Sequence, residues 1–185
     1  MKKISILLCL AILSQAQTIK SAGDVLVNGK TLKKGAVIKQ GDTIETKANS
    51  RVRFNVGKDA FRAKANTKFS LQKVGSKRVL NVVNGNVMAV FGAGDHEIAT
   101  PNMTAGIRGT GTFTVVRDGK TYFCTCYGET EVEALGQTKK LKAHHHKMIW
   151  ITPTEIKSTM DMQDHTDDEL RELEAMVGRK VPFDN

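Results

Sequence analysis

From Ala22 to Thr152, apolar and polar residues alternate in short runs separated by glycine-bearing turns, the pattern of β-strands. Val25 and Val27 alternate before Asn28-Gly29, and Val52, Phe54 and Val56 alternate with Arg51, Arg53 and Asn55 before Gly57. Val79–Val83 and Val87–Phe91 flank Asn84-Gly85-Asn86, while Phe113–Arg117 and Lys120–Tyr127 flank Asp118-Gly119. Asn-Gly and Asp-Gly tolerate the positive φ of tight hairpin turns, so each pair of runs reads as a hairpin. Pro101 is the only proline in this stretch and falls between runs. The pattern predicts an all-β body over residues 22–151, with short antiparallel strands stacked as a solenoid or a sandwich. Turn spacing does not separate those two, and no exact internal repeat is visible.

The period then changes. Thr166 followed by Glu169 forms a capping box, and Leu170, Leu173 and Val177 fall at helical spacing before Gly178. Asp167, Asp168 and Glu169 occupy the first turn, where carboxylates suit the helix dipole. One C-terminal amphipathic helix of about three turns is expected, too short to stand alone. It must dock on the β body or on a partner. Residues 152–185 therefore form an acidic linker and helix, with Thr152–Gln163 reading as the linker.

The other end reads as an address. Met1, Lys2 and Lys3 precede an apolar run, Ile4–Leu13, and Ser14-Gln15-Ala16 offers small residues for a cut near Ala16. The run is about half of the roughly 20 residues that a bilayer-spanning helix needs. Leu8 before Cys9 does not suit a lipoprotein signal, which would need Gly or Ala there. Residues 1–16 are expected to be a signal peptide and the mature chain periplasmic or secreted, peripheral to a membrane at most. That leaves Cys124 and Cys126, too few for a disulfide framework.

The formal net charge of +9 falls to +7 without Lys2 and Lys3. It is unevenly spread: residues 17–151 carry 22 basic and 10 acidic side chains, and residues from 152 onward carry 4 and 9. Export argues against nucleic acid as the counter-charge. An acidic envelope protein, a wall component or the chain's own tail fits better, and a solvated basic face needs no partner at all.

Several short motifs recur in a set order. Gly23-Asp24-Val25 leads to Val27-Asn28-Gly29, then to Gly41-Asp42-Thr43-Ile44-Glu45-Thr46 and Ser50-Arg51-Val52-Arg53-Phe54. Later come Thr100-Pro101 and Gly106-Ile107-Arg108-Gly109-Thr110, running into Phe113-Thr114-Val115. In order and spacing this resembles the FecR domain over about Gly23 to Lys142, with Gly41, Asp42, Thr100, Pro101, Gly109 and Thr110 carrying the likeness. The family takes its name from a membrane-spanning regulator of ferric-citrate uptake, whose periplasmic domain receives a signal and whose cytoplasmic segment restrains a sigma factor. The present sequence shows no membrane span and no cytoplasmic segment. The resemblance thus implies a stand-alone exported domain, a non-catalytic binding or sensing module acting through protein or envelope contacts.

Cys124 and Cys126 are the sharpest chemical feature. With a two-residue turn at Asp118-Gly119, Phe113 lies opposite Cys124 and Val115 opposite Tyr122, so both thiols share one sheet face with those residues. Their Cα atoms would be roughly 6.5–7 Å apart, awkward for a disulfide but suited to sharing a soft metal ion. His144 and His146 would share the face of Met148 and Trp150 if that segment is extended, and His165 is a further candidate ligand. Two Cys and two His fit tetrahedral zinc or thiolate-bound copper(I), and haem ligation is a further option. Buried structural cysteines beside solvated histidines, and redox-active thiols, are the competing readings. Arg108, placed in a glycine-rich turn at Gly106–Gly111, offers an anion or partner contact, or else only bonds nearby carbonyls. There is no Gly-x-Ser-x-Gly, no His-Glu-x-x-His and no recognisable carboxylate pair. No enzyme is expected, although Cys-His chemistry is conceivable if a thiol is exposed.

Overall fold

In the computed structural model, which describes residues 17–184, the chain forms fourteen strands and one α-helix. The expected signal peptide, residues 1–16, lies outside the described residues. The strands are β1 (Ile19–Ala22), β2 (Val25–Val27), β3 (Lys30–Thr31), β4 (Thr43–Thr46), β5 (Arg51–Val56), β6 (Asp59–Ala63) and β7 (Thr67–Val74). They continue as β8 (Lys77–Val90), β9 (His96–Thr100), β10 (Met103–Arg117), β11 (Lys120–Ala134), β12 (Gln137–Ala143), β13 (Lys147–Ile151) and β14 (Ile156–Thr159). The helix α1 spans Asp167–Met176, and a 3-10 turn follows at Pro182–Asp184. No helix among the described residues is long and apolar enough to cross a membrane.

All strands belong to one mixed sheet, and β8–β9 is its parallel pair among the described residues. Pairing is otherwise antiparallel, as short hairpin connections dictate. Asn28-Gly29 and Asp118-Gly119 adopt the two positive φ values of a tight turn, 51° and 75°, then 52° and 69°. Beyond that turn Phe113 faces Cys124 and Val115 faces Tyr122.

Three local expectations are corrected. Asn84-Gly85-Asn86 is not a hairpin turn: β8 runs through it unbroken. Gly85 (φ 86°) instead lets the strand pass Thr67, whose Cα would lie 2.5 Å from an added Cβ. Gly106–Gly111 is not a turn either, but part of β10, with a bulge between Arg108 and Thr112. Residues 111–116 of β10 pair with β8 and residues 103–107 with β9, so the bulge is the corner at which the strand changes partners. The supposed linker, residues 152–163, contains β14, which pairs with β13.

Alternation along the long strands divides their side chains between two cores. The inner one, inside the bent sheet, holds Phe54, Phe69, Leu71, Ile98, Phe123, Leu141 and Ile149. The outer one holds Met88, Phe113, Val115, Tyr122, Cys124, Cys126 and Met148 on the sheet, covered by Leu170, Leu173, Val177 and Val181 from the C-terminal segment. Thr166 and Glu169 form the capping box of α1, and Gly178 (φ 72°) follows its end. The acidic side of α1 rests on basic strands: Arg62 meets Glu169 (3.2 Å) and Glu172 (2.7 Å), Lys64 meets Glu169 (3.1 Å), and Arg53 also pairs with Glu172.

At the corner, a Cβ on Gly128 (φ 87°) would meet Thr110 Cγ2 at 2.5 Å and Gly109 O at 2.7 Å, whereas one on Gly29 (φ 75°) would meet nothing. Both alanine variants carry the left-handed backbone strain, about 1–2 kcal/mol. Gly128→Ala should lose about a further 1–3 kcal/mol to crowding, read from urea unfolding midpoints. Equal losses would show that the corner is loosely packed.

Candidate metal centre

Cys124 and Cys126, two residues apart on β11, send their sulfurs to the same face and into the outer core. Both are fully buried, free thiols, with the sulfurs 3.6 Å apart. The bend between β12 and β13 brings in the third donor. His146 takes a left-handed conformation (φ 47°), held by its N–H donating to the carbonyl of Cys126 (2.8 Å). Its Nδ1 then lies 3.3 Å from Cys124 Sγ. The fourth donor arrives from the segment ahead of α1. His165 stacks on Phe113, with ring centroids 4.4 Å apart, and puts Nε2 3.8 Å from Cys126 Sγ.

One ligating atom from each of these four residues lies within 4.8 Å of all the others. Bonds of about 2.0–2.3 Å in a tetrahedral zinc site imply ligand–ligand edges of about 3.3–3.8 Å. The three separations of 3.3, 3.6 and 3.8 Å fall in that range.

The outer partners fix the tautomers. His165 Nδ1–H donates to the carbonyl of Gln163 (2.6 Å), so that the neutral ring carries its lone pair on Nε2, toward the thiols. His146 Nε2–H donates to Asp167 Oδ1 (2.8 Å), so that the neutral ring has its lone pair on Nδ1, toward Cys124, and the protonated ring donates there. The other oxygen of Asp167 accepts from His145 Nε2 (3.0 Å). An imidazole whose far nitrogen is tied to a carboxylate or carbonyl is the usual arrangement around a bound metal.

Electrostatics follow from the crowding. Burial opposes charge on Cys124, yet hydrogen bonds from Cys126, His146 and His165 outweigh it and bring that thiol down to about 4. Burial first, then the neighbouring Cys124, pushes Cys126 well above the ordinary thiol range. For His146 burial is again overridden, here by the bonds to Cys124 and Asp167, which raise it. Asp167 is lowered by both histidines in spite of its partial burial.

The structure thus brings Cys124, Cys126, His146 and His165 together and leaves His144 out, exposed on the surface. The expectation that His144 and His146 share a face fails because the left-handed residue at 146 breaks the alternation. Arg108 is exposed on β10 opposite Glu129, bordering a groove lined by Lys77, Lys140 and Lys142 as well as by Glu129 and Glu131. The motif residues are structural clasps. Buried Asp42 accepts from Asn28 Nδ2 and from the Lys39 N–H (2.8 Å each), beside Gly41 at φ 99°. Thr100 Oγ1 accepts from the Met103 N–H (3.1 Å) across the Pro101 turn, while Gly109 and Thr110 form the bulge. Sequence reasoning missed Asp167 as the carboxylate behind His146, having assigned it only to the helix start. It also missed buried Glu174, which accepts from Tyr127 Oη and from Arg179 Nε (2.6 Å). The available signal was its spacing, four residues after Leu170 and three before Val177, which puts Glu174 on the apolar face of the helix.

No protein-family model and no curated protein sequence matches the chain. Its fold is similar to a crystal structure, at 1.65 Å, of a putative anti-sigma factor from Parabacteroides distasonis ATCC 8503, with a TM-score of 0.59 and 12% identity over 70% of this chain and 64% of that one. A second such structure from the same organism, at 2.50 Å, aligns with a TM-score of 0.45 and 12% identity over 84% and 65%. The chain spans under two thirds of the length of each. What the first likeness shows is a shared fold.

In the metal-free protein, folding favours the Cys124 thiolate, so its contribution is complete above the ordinary thiol range and lost as pH falls toward 4. The raised His146 works in the opposite sense, contributing below the ordinary imidazole range and losing its effect as pH rises through its folded value. Chelator-treated protein should therefore be most resistant to urea near neutrality, and Cys124→Ser should flatten the acid side. A midpoint that does not vary between about pH 4 and about pH 9 would contradict this.

Proposed function

We propose that the chain is a non-catalytic, FecR-like binding or sensing module whose working centre is one zinc ion held by Cys124, Cys126, His146 and His165. The observation that carries this is the convergence of four soft and borderline donors within 4.8 Å, drawn from three separate parts of the chain. Two thiolates and two neutral imidazoles in a tetrahedron suit zinc, and copper(I) is the competitor on the same donors. The donors lie against one another, which favours a single ion over a haem, since a macrocycle would have to part them.

A thiol enzyme is the other reading with geometry behind it. Cys124, His146 and Asp167 form a nucleophile–base–carboxylate chain, with links of 3.3 and 2.8 Å. Against it, Cys124 is fully buried beneath Cys126 and His165, where no substrate carbonyl can approach. The FecR-like part of the proposal rests on the ordered motifs and on the fold shared with the anti-sigma structure. It makes an envelope protein or a wall component the expected partner, and the periplasm or the exterior the expected location. No nucleic-acid role is proposed.

Native mass spectrometry tests the centre directly. One zinc per chain is expected in wild type and in His144→Ala, and none in the Cys124→Ser, Cys126→Ser double variant. Asp167→Asn removes no ligand and should weaken zinc affinity about 10- to 100-fold. A purified wild-type chain that takes up neither zinc nor copper(I) refutes the centre.

A further inference from the structure

The four donors do not belong to one rigid unit. Cys124, Cys126 and His146 sit on the sheet and its β12–β13 bend, whereas His165 and the supporting Asp167 belong to the chain that follows β14. Beyond the buried Leu170, Leu173, Val177 and Val181, that following chain is held by few ties. Its path away from β14 carries Met160, 90% exposed, and exposed Met162. It is tied to the sheet through the Gln163 N–H donating to Tyr122 Oη (3.3 Å) and Lys64 Nζ donating to the carbonyl of Asp164. The ion pairs from Arg53 and Arg62 to Glu172 are half open to solvent, where each is weak, and those from Arg62 and Lys64 to Glu169 are less exposed. A helix of ten residues does not persist by itself in water. What it covers is substantial: Phe113, Val115, Tyr122, Met148 and the partly buried Trp150 form a continuous apolar face on the outside of the sheet.

We propose, on the reading that the site binds zinc, that the ion is a latch. It fastens residues 160–184 over the outer sheet face, and its loss releases them and bares that face. His165 is the bolt, since it is the ligand that crosses from the moving segment to the fixed one. Asp167 couples the start of α1 to His146 on the sheet, so the helix is drawn onto its seat as the site assembles. Buried Leu170 and Leu173 and the Tyr127–Glu174–Arg179 contacts guide the segment back to one register, whether or not the ion is present. An ion that binds only the closed arrangement multiplies the closed-to-open ratio by one plus its concentration over Kd, about 100-fold at 100 times Kd.

Hydrogen exchange on the full chain, zinc-loaded and chelator-stripped, tests this, with the native mass of each sample taken alongside. The amides of α1 should exchange about 100-fold faster in the stripped protein, while those of β5–β8 around the inner core change little. In the Cys124→Ser, Cys126→Ser double variant, added zinc should leave α1 exchange unchanged. Zinc bound at one per chain with α1 exchange unaltered would overturn the latch and leave the site standing. The latch would also fall if exchange changed equally over the whole body, or if zinc slowed α1 in the double variant. A wild-type chain that binds no zinc removes both the site and the latch.

Discussion

The division of side chains by the β10–β11 hairpin shapes everything built upon it. Because successive residues of a strand point to opposite faces, Phe123, Thr121 and Thr125 go inward while Tyr122, Cys124 and Cys126 go outward. The inner face packs on itself, since β10 changes partners at the Gly109–Gly111 corner and β8 does so around Gly85. The outer face cannot. Phe113, Val115 and Met148 stand beside the thiols with no second layer of sheet above them, and the C-terminal segment is what covers them. A chain that must return over this face passes directly above two sulfurs on one side of one strand. Whatever polar group it carries there meets them, and in this sequence that group is His165.

The same alternation explains which parts of the molecule could be read from the sequence and which could not. Strand grammar and the Asn-Gly and Asp-Gly turns suffice for the hairpin that aligns Cys124 with Phe113, because those turns fix the register. The capping box locates α1 because Thr166 and Glu169 satisfy local donors. The errors share one cause. A glycine marks either a positive φ or a close approach of another chain, and the two are indistinguishable in a string of letters. Gly85 combines both, a positive φ and a close approach to Thr67, without turning the chain back, and at Gly111 the approach of Tyr127 alone excludes a Cβ. His146 failed in the opposite way. It is not a glycine, yet it sits at φ 47°, so the face assignment carried across residues 144–150 was out of step.

Charge and coordination bear on one another at this site. The acidic tail lies on the basic strands through Arg62 and Lys64, which turns Asp167, at the first position of α1, toward the histidine run. Without a metal, that carboxylate and the Cys124 thiolate both draw a proton onto His146. With a metal on Nδ1, the imidazole must be neutral there, and Asp167 accepts the remaining N–H. Metal and proton therefore compete for the same nitrogen, and the deprotonated thiol favours the metal.

The motif residues and the donor residues occupy different places, which limits what each can say. Asp42 clasps a turn, Thr100 closes another, and Gly109 and Thr110 make the bend that lets β10 serve two neighbours. These roles are requirements of the fold, so any chain with this architecture needs something like them whatever it binds. The likeness to the anti-sigma structure is of the same kind and attests to the scaffold. Cys124, Cys126, His146 and His165 answer to no such backbone requirement: apolar side chains could fill the two buried sulfur positions, and an apolar ring could stack on Phe113 where His165 does. A fold does not bring four such donors to one point by demanding them. Their convergence is the part of the sequence that the scaffold leaves unexplained, and the proposed zinc ligation would account for it.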